Sequence, residues 1–81
     1  MNETIIELID RDYIGEYKVR VINELSSMNL SHVMAESEEN LQATRLAILR
    51  LAKGDLAQVI DLTKRAKADF RDVIMWAAEE K

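Results

Sequence analysis

Between two apolar-periodic stretches stands the dipeptide Gly54–Asp55, and it constrains this chain more than any other feature. Gly54 has no Cβ, so it can enter the left-handed conformation that closes a helix. Asp55 can accept the orphan N–H groups of the next helix, and Gln58 stands three residues on, where a capping box would place it. One helix therefore stops and another starts within about two residues, which fixes their relative directions.

The flanking residues extend this reading. Ser37 has the character of an N-cap, followed by Glu38 and Glu39 in a first turn where the helix dipole favours acids. From there Leu41, Thr44, Ile48, Leu51 and Ala52 recur on one face. Leu46 and Leu49 broaden that face, so this helix is expected to be the central one. Lys53 brings the favoured charge to its last turn. Beyond the turn, Leu56, Val59, Ile60, Thr63 and Ala66 form a second stripe, with Lys64, Arg65 and Lys67 near its C-terminus. Asp69 offers another N-cap, with Asp72 placed to close a box, and Phe70, Val73, Ile74 and Ala77 form the last stripe. Residues 37–80 thus read as three helices with two tight turns.

The N-terminal segment, residues 1–29, carries Ile5, Ile6 and Ile9 on one helical face with Leu8 beside them, and then Tyr17, Val21, Leu25 and Met28. Gly15 falls between the two sets. Glycine inside a helix costs only about 1 kcal/mol against alanine, so a break and a continuous rod both stay open. Residues 30–36 read as a loop anchored by Leu30, Val33 and Met34.

Apolar residues make up 48 % of the 81 positions, proline and cysteine are absent, and only two glycines occur. This predicts an all-α fold: one domain over residues 1–81, built as a small bundle of four or five short helices without disulfides. Charge is uneven. Residues 1–40 sum to −6 and residues 41–81 to +2, within a total of −4. Either these are solvated helix faces, or the halves attract one another within one chain or between two.

Catalytic inventories fail one after another. Without cysteine there is no thiolate nucleophile and no thiolate zinc site. His32 is the only histidine, no glycine-supported elbow lies near a serine, and it reads as a loop or surface residue. Glu36, Glu38 and Glu39 crowd a helix start but point in different directions. Gly15 and Gly54 stand alone, so no phosphate-binding loop is formed. No enzyme activity, metal or cofactor is expected. The longest apolar run, Val73–Ala78, has six residues, against about 20 needed to span a bilayer. The acidic start Met1-Asn2-Glu3 is unlike a secretory signal, so a cytoplasmic location and no membrane partner are expected.

Partner binding is the reading with residues behind it. Met75 and Trp76 are adjacent, so they cannot share one narrow stripe with Phe70, Val73 and Ile74. Trp76 either closes the small core or anchors a partner, and Tyr13 and Tyr17 allow the same two readings. Leu30, Val33, Met34, Leu62, Met75 and Trp76 lie off the main stripes, and burying them between two copies would give a homodimer. The alternative is a helix-turn-helix-like nucleic-acid module on residues 56–71, offering Gln58, Lys64, Arg65, Lys67 and Arg71. Arg50 weighs against it, since that motif has a small residue four positions before the turn glycine. So do Asp55, Asp61 and the acidic total, which remove the electrostatic drive toward phosphate.

The run Arg45-Leu46-Ala47-Ile48-Leu49-Arg50-Leu51-Ala52-Lys53-Gly54-Asp55-Leu56, then Ala68-Asp69-Phe70-Arg71-Asp72-Val73-Ile74 and Trp76-Ala77, resembles a group of small helical bacterial proteins. They share a Gly-Asp-Leu turn and an Asp-aromatic-Arg-Asp helix start. The resemblance covers residues 41–80 and implies a bacterial cytoplasmic protein, with no activity attached. Its distinctive positions also have structural explanations as caps, except Arg71, which could pair with Asp55 or Asp69 or face a partner.

Overall fold

In a computed structural model, which describes residues 1–33 and 37–80, five α-helices follow one another: α1 (Glu3–Asp12), α2 (Glu16–Ser26), α3 (Glu38–Ala52), α4 (Leu56–Ala68) and α5 (Phe70–Glu79). A single 3-10 turn, Leu30–His32, lies between α2 and α3. The expected all-α bundle is what the chain forms. Met34 and Glu36, read above as a loop anchor and a loop acid, lie outside the described residues.

Each helix begins on a local signal. The Asn2 side chain accepts from the Ile5 amide at 2.9 Å to start α1, and Ser37 accepts from Asn40 at 3.2 Å to start α3. Asp55 and Asp69 accept from the amides two residues on, Ala57 at 2.9 Å and Arg71 at 3.1 Å. The return bonds from Gln58 and Asp72 that would complete capping boxes are not made. A reciprocal box forms instead at Asn29, whose amide donates to His32 Nδ1 at 3.0 Å while its side chain accepts from Ser31. His32 therefore ties down the 3-10 turn.

Gly15 breaks the N-terminal segment into two helices. Its φ of 56° and ψ of −128° suit the second residue of a type II′ turn, which is closed by the Tyr17 amide donating to the Ile14 carbonyl at 3.1 Å. No side chain tolerates that conformation without strain. A salt bridge from Lys18 to Asp10, at 2.9 Å, spans the break.

Helix α3 is central, packed against α1, α4 and α5, while α2 lies along α4. Seven of its residues are buried (Leu41, Thr44, Arg45, Ala47, Ile48, Leu49 and Ala52) and they wrap more than half its circumference. Ile5, Ile9, Val21, Leu25, Met28, Val59 and Val73 meet it in one core. The Cα radius of gyration, 11.4 Å, is close to the roughly 11.7 Å of a compact chain of this length.

Several apolar assignments change, Tyr17 among them, since it stands exposed beside the buried Val21 and Leu25. Ile6 and Ile60, read as stripe residues, are over a third exposed, whereas Leu62, read as off the stripe, is buried. On α4 the inward set is Val59, Leu62, Thr63 and Ala66, an i, i+3, i+4, i+7 pattern that leaves Ile60 roughly 100° away from Val59. Val33 is likewise buried in the chain's own core rather than left for a second copy.

Candidate functional site

The two turns that the glycines make possible are brought face to face. The turn between α1 and α2 and the turn between α3 and α4 enclose an open groove of about 420 Å³, lined by Asp12, Tyr13, Ile14, Tyr17, Lys53, Gly54, Asp55 and Leu56. The approach is close. A Cβ on Gly54 would stand 3.7 Å from the Asp12 carbonyl oxygen, in ordinary contact. Glycine is required there for its φ of 85°, and it is preceded by Lys53, itself left-handed at φ 49°. Helix α3 therefore ends on two consecutive left-handed residues, and Lys53 is the one that caps it, its amide donating to the Leu49 carbonyl at 3.2 Å.

The apolar part of the groove is divided sharply by exposure. Ile14 is 77 % exposed and Tyr17 57 %, while Tyr13 between the helices is only 3 % exposed. The Tyr13 hydroxyl is buried without a hydrogen-bond partner. Burial raises its pKa above the ordinary phenol value, with Asp12 adding to the rise; the Gly54 backbone, near the hydroxyl but outside hydrogen-bonding geometry, offsets part of it. Of the two readings the sequence allows for Tyr13, the structure gives the core one: it lies buried under the groove, and the exposed apolar residue of this turn is Ile14.

Charges around the groove are mostly answered within the chain. Arg11 pairs with Asp12 through Nε at 2.9 Å and Nη2 at 3.1 Å, and its hydrogen bonding holds the Asp12 carboxyl below its usual range. Lys53 pairs with Glu80 at the far end of α5. Asp55 caps α4 and makes no ion pair among the described residues. A smaller cleft of about 340 Å³ adjoins, lined by Leu8, Arg11, Asp12, Leu49, Arg50 and Lys53.

Of the residues singled out in the sequence, Tyr13, Tyr17, Gly54 and Asp55 come together here. Met75, Trp76 and Arg71 are carried by α5 and do not line this groove. Met75 is half exposed, and Trp76 is partly buried against the core. Arg71 pairs with Asp69 at 3.2 Å rather than with Asp55. Sequence reasoning missed Arg45, which is 8 % exposed and donates to the carbonyls of Leu25, in the last turn of α2, and Met28, just beyond it. Its signal was an arginine one residue from Thr44 in the middle of the most apolar face.

No group of three or more His, Cys, Asp or Glu side chains able to hold a metal converges among the described residues, and none of their helices is long and apolar enough to cross a membrane. Comparison with protein-family models, with curated proteins and with solved structures gives no match.

Proposed function

We propose that this chain is a non-catalytic cytoplasmic binding module whose partner is another protein, and that the groove between the two turns is the surface it uses. The exposure of Ile14 and Tyr17 carries this reading. A large apolar residue and an aromatic ring stand out of a groove whose backbone is held by the Ile14–Tyr17 turn bond and the Asp55 cap, so little ordering entropy is lost when a partner seats on it. A site-specific photo-crosslinker in place of Tyr17 tests it. The expected outcome is a discrete protein adduct in cells from position 17 and none from Lys67, on the exposed basic end of α4. Equal labelling from both positions, or none from position 17, overturns the reading.

The helix-turn-helix alternative keeps its outline, since α3 and α4 are joined by only Lys53, Gly54 and Asp55. Its charges do not support it. Arg65 is held by Asp61 at 2.9 Å and Arg71 by Asp69, so two of the four cations in the 56–71 region already have in-chain acids. Salt-dependent binding to mixed-sequence DNA would favour this alternative over the protein partner.

A further inference from the structure

We infer that α3 and α5 present a self-complementary face on which a second copy of this chain docks, with the two α3 helices antiparallel across a two-fold axis. A cleft of about 240 Å³ lies at the centre of this face, between Ala43, Leu46 and Arg50 of α3 and Ile74, Ala77 and Ala78 of α5. It shares no lining residue with the groove between the turns.

On α3, Glu39, Ala43, Leu46 and Arg50 follow one another at intervals of four, three and four. At about 100° per residue they fall within an arc of roughly 60°, opposite the buried set of the helix. Glu39, Ala43 and Arg50 are exposed and Leu46 is half-buried. The spacing reads the same from either end, while the chemistry inverts: acidic and small at one end, large and basic at the other. A two-fold axis between Ala43 and Leu46 therefore sets Glu39 of each copy against Arg50 of the other, and Leu46 of each against Ala43 of the other. The short alanine lets the helices approach closely, and the leucine fills the hollow beside it. Met75, half exposed, lies about 60° round α5 from Ala78, at the margin of the same face.

Charge selects the antiparallel setting. Among the described residues, neither Glu39 nor Arg50 has an ion pair or a side-chain hydrogen bond. Neighbouring charges are answered within the chain: Lys53 by Glu80, Arg71 by Asp69, and Arg11 by Asp12. Glu38 is turned about 100° from Glu39 and accepts from Gln42. Asp72 and Glu79 stand roughly 100° or more round α5 from Ile74 and Ala78, on its outer side. A parallel pair of α3 helices would set Glu39 against Glu39 and Arg50 against Arg50, a like-charge arrangement that costs affinity. Antiparallel helices also oppose their dipoles favourably. The face is two helices wide and follows the 15 residues of α3, about 22 Å, so it belongs with small interfaces and weak, concentration-dependent association.

The test is sedimentation equilibrium of the full chain from micromolar to millimolar concentration, for the parent, Glu39→Arg, Arg50→Glu and an equimolar mixture of the two variants. Each substitution acts twice in a symmetric dimer, because it sets like charges at both ends of the α3 pair. The parent is expected to dimerise, and each variant alone to do so at least about tenfold more weakly. The mixture should recover the parent's affinity, since one variant then offers two bases and the other two acids across the same seam. Both substituted residues are exposed, and melting of each variant alone confirms that it is folded. Should Glu39→Arg not fold, Arg50→Glu decides alone through its self-affinity. A parent that stays monomeric throughout, variants that dimerise like the parent, or a mixture no tighter than its separate components overturns the inference.

Discussion

Arg45 of α3 donates through Nη2 to the carbonyl of Met28, 2.9 Å away, just beyond the end of α2, and through Nε to Leu25 within the last turn. Seventeen to twenty residues of chain separate the partners, so one side chain joins the N-terminal pair of helices to the central one. A buried cation is costly unless its donors are used and its charge is compensated. Here the negative end of α2 supplies the compensation. Burial still pushes the Arg45 pKa below its usual value, against the pull of Glu38, which raises it.

Arg45→Met should therefore destabilise the domain by about 2–3 kcal/mol, since two charge-assisted bonds are lost and the Met28 carbonyl is left without its donor, while the Leu25 carbonyl keeps the Met28 amide. For a chain of this size that is a fall in Tm of roughly 10 °C or more. Thermal melting measures it. Amide exchange should show the loosening first in residues 22–28, and a Tm within a degree or two of the parent would mean that water replaces the guanidinium without loss.

Substitutions at the α3–α4 turn should have opposite signs at neighbouring positions. Gly54→Ala is expected to cost about 1–2 kcal/mol, and Gly54→Val up to about 3, because φ is 85° while the added Cβ meets only ordinary contacts. Lys53→Gly relieves a left-handed lysine, φ 49°, and should be neutral or stabilising although it forgoes the ion pair with Glu80. Chemical denaturation of the three variants checks this, and equal destabilisation at both positions would refute it.

What the sequence disclosed and what it hid follow from how local each signal is. The caps Ser37, Asp55 and Asp69 and the Gly54 turn were legible because they act within three residues of themselves. The break at Gly15 was not decidable, since its cost in a helix is small and the Ile14–Tyr17 turn that uses it depends on packing beyond the turn. Arg45 was hidden because its partners lie on another helix. Ile60 and Leu62 exchanged roles because α4 is covered by α2 as well as α3 and α5, which sets the inward direction. At the groove, Tyr17 and Gly54 could be named from the sequence, but their meeting could not, because it joins turns about forty residues apart. Ile14 went unnoticed because an apolar turn residue has no periodicity to mark it.

Removing the hydroxyl of Tyr13 should help rather than harm. It is buried and unpartnered, so Tyr13→Phe is expected to be neutral or stabilising by up to about 1 kcal/mol at pH 7. Because burial raises the folded pKa above the ordinary value of 10.0, the folded chain retains a proton that the unfolded chain releases. Stability therefore falls as pH rises from about 10 toward the folded pKa. The Phe variant should lose this part of the alkaline decline. Denaturant midpoints of both proteins at neutral pH and above pH 10 decide it, and parallel declines would place the sensitive group elsewhere.

Self-association is expected to run through α5 rather than the groove. Burial of Val33 and Leu62 removes two of the residues that could have supported a dimer, and Trp76 is partly used by the core. Met75, half exposed on α5, and Leu30, 37 % exposed, remain. A dimer built on Met75 leaves the groove clear of its own copy and allows the basic C-terminal half to approach the acidic N-terminal half of the partner molecule. Light scattering at micromolar concentration should then give twice the 9.3 kDa of one chain at low salt, a smaller mass at high salt, and the monomer for Met75→Lys. Light scattering that returns one chain's mass at both salt concentrations would refute the dimer and return Met75 to the surface residues that need no partner.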